Sequence, residues 1–411
     1  MKKINEEVFM DPIYGSIYVD YDVILKIINT TAFQRLRRIK QLSSVSMIYH
    51  GAEHSRFSHS LGTYNVARMF LLNPSLNKAL NERERLLFLS SALLHDIGHG
   101  PHSHTFEDIF QTNHEVLGAK IIKEDNELRK VLNEVDENFA EDISNILLKL
   151  GKYPLIEKLI SSQLDVDRID YLLRDAYYTG TPYGNIDLDR IIRVLVVKDD
   201  NVYFKESGIH TIENFLINRY HMYFLVYFHR VCRAHEANLE NIYLRVKDLI
   251  INDYQFNANI KLLKDIIIND EINLNSYLLI DDYYINGLIQ SFRFEDDYIL
   301  KELSNDYLNR KIWNYIDYNK KEVLEIKENI NTKYIKYFTK VNEASNLAYA
   351  PKVLDGDKIN IMLKDGNTST LYKESEIIKS ISKLGSKTDR KFFYRWKNKF
   401  LSLKEKTTLI N

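Results

Sequence analysis

The sequence predicts a mainly α-helical bundle with small β-hairpins and a C-terminal α+β lobe. Apolar residues recur at helical spacing along most of the chain between residues 21 and 183. No glycine or proline occurs between Gly208 and Gly287, which favours long helices in that part. After about residue 320 the pattern changes to short apolar runs around a turn-forming Lys-Asp-Gly-Asn at residues 364–367, which is typical of a small α+β region.

The composition is that of an ordinary globular protein. Of its 411 residues, 45% are hydrophobic and 27% are charged, and the formal net charge is −1. The whole-molecule field therefore offers no general attraction to nucleic acid, which stays open as a partner but is not favoured. The single cysteine, Cys232, excludes an internal disulfide. The polar residues 1–11 lack a signal-peptide core, and no apolar run approaches the roughly 20 residues of a membrane helix. We expect a cytoplasmic protein that does not enter membranes.

The elements are predicted in chain order from turns, caps and periodicity. A turn at residues 11–15 leads into a short strand or hairpin edge, and a helical pattern then runs from residue 21 to about 42, with Thr30 or Thr31 as the cap of its second helix. Further helices are predicted at residues 55–70, 81–95, 139–150, 155–160 and 163–175. Ser103 is a candidate cap for a short helix. Residues 194–204 predict a β-hairpin.

The organisation along the chain predicts one main helical domain with additions. A helix is expected to run through Arg219 and Arg230, and no internal repeat or linker-like tract is found. We expect a core at residues 1–240, a helical extension packed on that core at residues 241–320, and a small α+β lobe at residues 321–411.

Histidines are concentrated in one part of the chain. Seven of the twelve lie between residues 54 and 114. A leucine-rich helix ends at His95-Asp96 and is followed by the helix-breaking Gly-His-Gly-Pro at residues 98–101. Imidazoles at this density, mixed with carboxylates, indicate metal binding and proton transfer near neutral pH.

Four of these side chains form a candidate metal site. His59, the His95-Asp96 pair and Asp167 belong to three predicted helices, and crossing helices can bring such side chains to one ion. Two imidazoles and two carboxylates suit Mn, Fe, Mg, Zn or Ni. Such a shell leaves positions for water and a phosphate oxygen, and a bound divalent cation lowers the pKa of water, so phosphoester hydrolysis follows. A lone histidine on a helix is more often structural, and only the combination of motifs makes this site specific.

Three motifs carry a resemblance to a known family. They are residues 56–62 (Arg-Phe-Ser-His-Ser-Leu-Gly), 94–101 (Leu-His-Asp-Ile-Gly-His-Gly-Pro) and 165–171 (Asp-Val-Asp-Arg-Ile-Asp-Tyr). Together they resemble the HD-domain phosphohydrolases, and more narrowly the bacterial deoxynucleoside triphosphate (dNTP) triphosphohydrolases related to the SAM- and HD-domain-containing enzyme. The match covers roughly residues 10–240, which implies that the core is a catalytic HD-domain helical bundle.

The resemblance implies roles for residues at matching positions. The family's metal ligands match His59, His95, Asp96 and Asp167. Its proton donor to the leaving oxygen matches His114, beside Glu115. Its phosphate-contacting or water-orienting histidines match His99 and His104, and a supporting carboxylate matches Glu107. Its triphosphate-binding cations match Arg56, Arg168 and Arg219. Its sugar contacts match Gln41, Leu42, Tyr171, Asp175 and Tyr227. From the residues alone, Tyr227 also fits a core position and Arg219 a structural ion pair.

These roles are also consistent with the chemistry. Cleavage of the bond between the α-phosphate and the 5′-oxygen needs a nucleophile, charge neutralisation and a general acid. Metal-activated water, the clustered arginines and His114 would supply these in turn. Gln41 and Leu42 match residues that meet the sugar 3′-hydroxyl and crowd a 2′-hydroxyl.

Two positions depart from the family pattern. Asn29 stands where guanine-activated relatives carry an aspartate that reads the base, and an amide presents a donor as well as an acceptor. Gln34 and Arg37 still match the lining of that regulatory nucleotide site, so whether a nucleotide activates the protein stays open. His102 stands where relatives usually carry phenylalanine, and we expect only packing or solvent exposure for it.

Three functions therefore compete. The first is hydrolysis of deoxynucleoside triphosphates to deoxynucleoside and inorganic triphosphate, which the matches at Gln41, Leu42 and Tyr227 favour. The second is an HD-domain phosphohydrolase acting on a nucleoside monophosphate, a cyclic nucleotide or another phosphoester. The third is a non-catalytic nucleotide sensor, which the retention of every metal and proton-transfer residue disfavours. The resemblance also implies a homo-oligomer, a dimer or tetramer.

Overall fold

The fold is mainly α-helical, as predicted, and it carries three small β-sheets in the part of the chain that is described. The computed structural model describes residues 3–268, 272–330, 332–346, 358–383 and 387–395. None of the helices in these ranges is long and apolar enough to cross a membrane.

The first half of the chain consists of one β-hairpin and a series of helices. The hairpin strands are β1 (Lys3–Asp11) and β2 (Gly15–Tyr21). The helices are α1 (Asp22–Asn29), α2 (Thr31–Gln34), α3 (Arg56–Phe70), α4 (Pro74–Ala79), α5 (Glu82–Leu94), α6 (His104–Phe110), α7 (His114–Glu124), α8 (Asn126–Asn133), α9 (Phe139–Leu147), α10 (Pro154–Ile160) and α11 (Val166–Thr179).

The second half adds more helices and the remaining strands. The helices are α12 (Leu188–Val194), α13 (Ile209–Met222), α14 (Arg230–Ile251), α15 (Lys261–Ile268), α16 (Leu274–Leu278), α17 (Asp282–Phe292), α18 (Tyr298–Leu308), α19 (Lys320–Glu328), α20 (Thr332–Phe338), α21 (Leu371–Glu374) and α22 (Glu376–Lys383). The strands are β3 (Leu195–Lys198), β4 (Asn201–Lys205), β5 (Asn314–Asp317), β6 (Thr339–Asn346), β7 (Asn360–Met362), β8 (Thr368–Thr370) and β9 (Lys387–Tyr394).

Helices α3, α5 and α11 form the centre of the core, where α3 packs against both of the others. Helix α5 starts with a reciprocal capping box in which Asn81 Oδ1 accepts from the main-chain N–H of Glu84 at 3.0 Å, and Glu84 Oε2 accepts from that of Asn81 at 2.9 Å. Its residues from Leu86 to Leu94 are all buried, as expected for a helix surrounded by other elements. The C-terminal end of this central helix therefore holds His95 and Asp96 inside the protein.

The C-terminal region is a small α+β region, as predicted, and it shares a sheet with the core. The predicted hairpin β3–β4 is present, and β7 pairs in parallel with β4 to give the order β3-β4-β7-β8. A second sheet has the order β5-β9-β6. Helix α14 runs through residue 240, where we expected the core to end.

The second predicted helix of the N-terminal region is shorter than expected. Thr30 caps it, since its Oγ1 accepts from the main-chain N–H of Phe33. However, α2 ends at Gln34, and Arg35–Arg38 form a 3-10 turn. Arg35 is buried because its guanidinium donates to the main-chain oxygens of His99 and Ile280 at 2.9 and 3.0 Å. These long-range bonds leave no trace in local periodicity.

The predicted continuous helix through Arg219 and Arg230 is wrong. Helix α13 ends at Met222, Tyr223–Tyr227 form a π-helical turn, and α14 starts at Arg230. The wider π turn changes the direction of the side chains that follow it, and such turns often occur at functional sites.

Buried His235 predicts acid sensitivity of the fold. Its Nδ1 lies 3.0 Å from Ser44 Oγ, and burial lowers its pKa to about 4. Because an unfolded histidine has a pKa of about 6.5, the folded state binds fewer protons between these values. The stabilising contribution of His235 is therefore complete above the unfolded pKa and is lost as the pH falls towards the folded pKa. We expect this group to lower the free energy of unfolding by about 2 kcal/mol between pH 7 and pH 5.

Urea unfolding of the wild type and of His235→Gln at both pH values measures this contribution. The wild type should lose about 2 kcal/mol more than the variant on acidification. Equal losses in the two proteins would show that His235 is not responsible.

Candidate active site

The four predicted metal ligands lie together where three helices meet. His59 comes from α3, His95 and Asp96 follow α5, and Asp167 lies in the first turn of α11. His59 Nε2 is 3.1 Å from both His95 Nε2 and Asp167 Oδ1. The Asp96 carboxylate lies 3.3 Å from His95 Nε2 and 3.6 Å from His59 Nε2. His59, His95 and Asp96 lie close enough together to hold a metal ion, and Asp167 Oδ1 adds a carboxylate oxygen within 3.7 Å of both Nε2 atoms, a mixed set that suits a divalent cation.

The outer nitrogens of both histidines are held by acceptors. His59 Nδ1 lies 2.8 Å from Asp170 Oδ2, and His95 Nδ1 lies 2.8 Å from the main-chain oxygen of Ala92. When each ring carries a single proton on Nδ1, the lone pair of Nε2 faces the centre, and a proton on Nε2 would have to leave before a cation binds there. This is the arrangement that a metal-binding histidine needs, so the residues fit the ion that the sequence predicts.

Asp170 is a supporting residue that the sequence analysis did not identify. Its carboxylate accepts from Arg174 Nε at 2.9 Å and from the Tyr14 hydroxyl at 2.8 Å, and Arg174 also pairs with Asp11 at 2.8 Å. Its position three residues after Asp167 places both acids on one face of α11, and this spacing was the available signal.

Burial and charge set the protonation of this cluster. Burial alone would lower the pKa of His59, but hydrogen bonds to Asp167 and Asp170 raise it to about 10. Burial would raise the pKa of Asp167, but hydrogen bonds to His59 and His95 hold it far below its usual range. The carboxylates therefore remain ionised in a buried site and attract positive charge.

Removal of the supporting carboxylate in Asp170→Ala should weaken metal binding by about 10- to 100-fold, because His59 loses the acceptor that orients its ring. Competition with a chromogenic chelator measures the dissociation constant. Asp142→Ala is the matched control. Asp142 is also a buried aspartate paired with an arginine, but its partner is Arg83 and it does not contact His59. A metal affinity unchanged by Asp170→Ala would contradict the orienting role.

A histidine–carboxylate pair lies beside the metal ligands. His114 Nδ1 is 2.7 Å from Glu107 Oε1, which also accepts from the His114 main-chain N–H at 2.8 Å. The His114 ring stacks on His99 with centroids 3.8 Å apart, and His99 Nε2 lies 3.3 Å from Asp96. Glu107 thereby fixes the orientation of His114. The side chain of His104 lies outside the described part of the structure.

Gly98 allows helix α7 to approach the metal ligands closely. A Cβ at this position would lie 2.0 Å from the main-chain oxygen of His114 and 2.3 Å from the nitrogen of Gly118. Only glycine permits this contact, and the contact brings His114 next to the centre.

Arg56 connects a metal ligand to the loop before α6. Its guanidinium pairs with Asp96 and donates to Ser103 Oγ from Nε at 3.1 Å and from Nη2 at 2.8 Å. Ser103 occupies the N-cap position of α6, but its side chain makes no capping bond. The predicted cap is therefore wrong, because Ser103 Oγ is engaged with Arg56.

A cavity of about 620 Å³ opens at the histidine–aspartate cluster. Ten of the predicted site residues line it: Gln41, Leu42, Arg56, Asp96, His99, His114, Asp167, Tyr171, Asp175 and Tyr227. Asp175 is fixed in its wall, since Oδ2 accepts from the Tyr227 hydroxyl at 2.6 Å and Oδ1 lies 2.8 Å from His54 Nε2. Tyr227 is thus a half-buried wall residue, and His54, which has no role predicted from sequence, is a supporting residue.

Two predicted triphosphate-binding cations, Arg168 and Arg219, are not among the residues that line the cavity. Arg168 Nε donates to Asp165 at 3.0 Å, and Arg219 donates to the main-chain and side-chain oxygens of Gln163 at 3.0 and 2.9 Å. Burial and then the charge of Arg168 lower the pKa of Arg219, so the two guanidinium groups repel one another. Both charges act on Tyr171, which lines the cavity. An anion beside Tyr171 would relieve this repulsion.

Three other predicted residues are not brought to the cavity. Half-exposed Glu115 pairs with Lys149 at 3.3 Å. Gln34 donates to the main-chain oxygen of Ile28 at 2.7 Å and accepts from Arg37 at 2.8 Å. The Arg37 guanidinium lies 3.6 Å from the centroid of the Phe57 ring. Glu115 therefore forms a surface ion pair, and Gln34 and Arg37 form a separate surface pair.

His102 is a buried wall residue of the cavity and not a solvent-exposed one. It is 5% exposed, and its Nε2 has no hydrogen-bond partner among the described residues. Burial lowers its pKa, so the imidazole is neutral near pH 7. Glu236 lines the same cavity, and burial raises its pKa to about 8. Of the two expectations for His102, packing and solvent exposure, the structure shows packing, whereas Glu236 had no role predicted from sequence.

Comparisons with known proteins identify the family of this chain. A family model described as HD domain matches residues 56–175, and one described as HD associated region matches residues 186–255. An uncharacterized protein of Bacillus subtilis is 37% identical over 406 residues, which cover 96% of this chain and 93% of that protein. A Dictyostelium discoideum protein named as a deoxynucleoside triphosphate triphosphohydrolase SAMHD1 homolog is 30% identical over 69% of this chain and 61% of its own length.

One solved structure is similar to this protein over nearly the whole chain. The crystal structure of a phosphohydrolase from Bacteroides thetaiotaomicron matches this fold with a TM-score of 0.83 at 29% identity, over 95% of this chain and 100% of that chain. Together with the histidine–aspartate cluster, these similarities show that the chain belongs to the HD-domain phosphohydrolase superfamily.

Proposed function

We propose that this protein hydrolyses deoxynucleoside triphosphates to deoxynucleosides and inorganic triphosphate, with a divalent cation that is Mn, Fe, Mg, Zn or Ni. One observation carries the proposal: a single cavity combines metal ligands, the His114–Glu107 pair and the tyrosine-lined wall at Tyr171 and Tyr227. The similarity to a named dNTP triphosphohydrolase homolog supports it.

The residues of the chain supply distinct parts of the reaction. When bound, the divalent cation lowers the pKa of a water molecule and neutralises phosphate charge. His59, His95, Asp96 and Asp167 would hold that cation. Arg56 lines the cavity and is fixed by two partners, which suits it to hold a phosphate oxygen in place.

His114 is the proposed general acid at the 5′-oxygen. The Glu107 carboxylate at Nδ1 orients the ring, so that Nε2 faces the leaving 5′-oxygen and donates its proton to it. A water molecule bonds to the α-phosphorus as the bond to the 5′-oxygen breaks, and the proton that this water loses replaces, through solvent, the one that His114 has given up. Arg168 and Arg219 would contribute positive charge to the triphosphate from behind Tyr171.

The sugar end of the cavity is the basis for a deoxyribose preference. Leu42 and Tyr227 both line it, and the bond from Tyr227 to Asp175 fixes the position of the tyrosine ring. A 2′-hydroxyl between an apolar side chain and a fixed ring would lose its hydrogen bonds to water without replacement.

Parallel assays on deoxynucleoside and ribonucleoside triphosphates, with nucleoside monophosphates and cyclic dinucleotides as further substrates, test this assignment. We expect the deoxynucleoside triphosphates to react fastest. Equal rates for ribonucleotides would contradict the sugar assignment, and reaction only with monophosphates or cyclic dinucleotides would favour another HD-domain phosphohydrolase activity.

Homo-oligomerisation and nucleotide regulation belong to the same proposal. We expect a dimer or tetramer in the cytoplasm, with Gln34 and Arg37 at a surface site for an activating nucleotide. Light scattering with and without nucleotides measures the assembly. A monomer under all these conditions would contradict it.

A further inference from the structure

We propose that Asp282, from the helical extension, is a positioning residue that holds two loops of the active site in register. One loop carries Lys40, Gln41 and Leu42, and the other carries His102 and Ser103. The predicted effect on dNTP turnover rests on the proposed function, whereas the predicted effect on the two loops does not.

The carboxylate of Asp282 is divided between the two loops. Oδ1 accepts from the main-chain N–H of His102 at 2.8 Å, and Oδ2 accepts from that of Lys40 at 2.8 Å. Asp282 is 1% exposed, so these charge-assisted bonds form away from competing water. Both carboxylate oxygens accept from main-chain N–H groups. They therefore fix the position of the main chain in each loop, whatever side chains the loops carry.

Each bond is one residue away from a group that lines the cavity. Lys40 precedes Gln41, and His102 precedes Ser103, whose Oγ accepts two bonds from Arg56. Arg56 in turn pairs with Asp96. A displacement of the His102 main chain would therefore reach a metal ligand through two contacts.

The second loop is strained and needs such support. His102 and Ser103 have φ values of +55° and +53°, in the left-handed region that residues other than glycine rarely adopt. Non-glycine residues persist there where their surroundings hold them. The bond from the His102 N–H to Asp282 acts directly on the first of these two residues.

Neighbouring contacts make the extension a rigid base for Asp282. The Tyr277 hydroxyl donates to the main-chain oxygen of Gly98 at 2.6 Å. Arg35 bridges the main-chain oxygens of Ile280 and His99 at 3.0 and 2.9 Å. The segment from Tyr277 to Asp282 is therefore connected to the loop of residues 98–102 by several hydrogen bonds. Asp282 also connects it to the loop that carries Lys40, Gln41 and Leu42.

Asp281 provides a matched control in the same turn. It caps α17 by accepting from the Tyr284 N–H at 2.9 Å, and it pairs with Arg38 at 2.5 Å. It thus stabilises the same helix end, but through a side chain that does not line the cavity. Asp281→Ala should lower thermal stability and leave kcat and KM near the wild-type values.

The experiment compares Asp282→Ala, Asp282→Asn and Asp281→Ala in the full chain loaded with Mn²⁺. Asp282→Ala should lower kcat/KM for a dNTP by about 10- to 100-fold, as for other outer supports of a metal site. Hydrogen exchange should become faster in peptides covering residues 39–42 and 100–103 and should not change there in Asp281→Ala. Asp282→Asn keeps the shape of the side chain but replaces one carboxylate oxygen with an NH2 group, which cannot accept from a main-chain N–H. Hydrogen exchange should therefore become faster mainly in one of the two loops.

Several results would overturn the proposal. Wild-type kcat/KM and wild-type exchange in both Asp282 variants would do so, as would equal effects of Asp281→Ala and Asp282→Ala on turnover and exchange. If the wild type itself does not hydrolyse dNTPs, the proposed function fails, and the exchange data still decide whether Asp282 holds the two loops.

Discussion

Replacement of Asp167 by alanine should abolish both metal retention and hydrolysis. Its Oδ1 lies 3.1 Å from His59 Nε2 and 3.7 Å from His95 Nε2, at the centre of the histidine–aspartate cluster. A bound cation supplies several kcal/mol of charge stabilisation, so we expect turnover to fall by about a thousandfold or more. Elemental analysis of the purified variant should find little metal per chain.

Asp189→Ala is the control for this experiment. Both Asp167 and Asp189 lie in the first turn of a helix, where a carboxylate interacts favourably with the helix dipole. Asp189, however, is exposed on α12. It should retain metal and activity. Full metal content and normal turnover in Asp167→Ala would show that the ion is held elsewhere.

Replacement of His114 by alanine should separate chemistry from metal binding. His114 is paired with Glu107 at 2.7 Å and lines the cavity, and the four proposed ligands remain in its absence. Loss of a general acid typically costs about 10²- to 10⁴-fold in rate, so kcat should fall by that range while the metal content stays at the wild-type level. Steady-state kinetics and elemental analysis on the same preparation measure both quantities.

His210→Ala is the corresponding control. His210 also pairs with a carboxylate near a helix start, at 2.8 Å from Glu213, but its side chain is 95% exposed. It should have no effect on turnover. Normal turnover by pure, metal-loaded His114→Ala would exclude His114 as the acid.

The fold class and the helices that carry the metal ligands could be predicted because their signals are local. Periodicity and capping residues mark α5 and α11, and the motifs put His59, His95, Asp96 and Asp167 near the starts and ends of helices. The mainly α-helical fold and the hairpin β3–β4 are confirmed. Local signals were sufficient because each of these features is set by neighbours in sequence.

The rest depends on contacts between distant parts of the chain. Arg35 ends α2 early because its bonds reach His99 and Ile280, and Asp282 reaches Lys40 across 242 positions. Ser103 was predicted as a helix cap from its neighbours in sequence, but its hydroxyl accepts hydrogen bonds from Arg56 instead. No local pattern reports such competition, and therefore the supporting role of Asp282 became visible only in the fold.

Identification of the phosphate product shows which bond of the nucleotide the protein cleaves. Purified protein loaded with Mn²⁺ or Mg²⁺ is incubated with the four deoxynucleoside triphosphates, singly and mixed, and the products are resolved by ion-exchange chromatography. We predict inorganic triphosphate and deoxynucleoside, because the proposed function makes His114 the acid that protonates the 5′-oxygen. Monophosphate with pyrophosphate would move the cleaved bond and contradict the account.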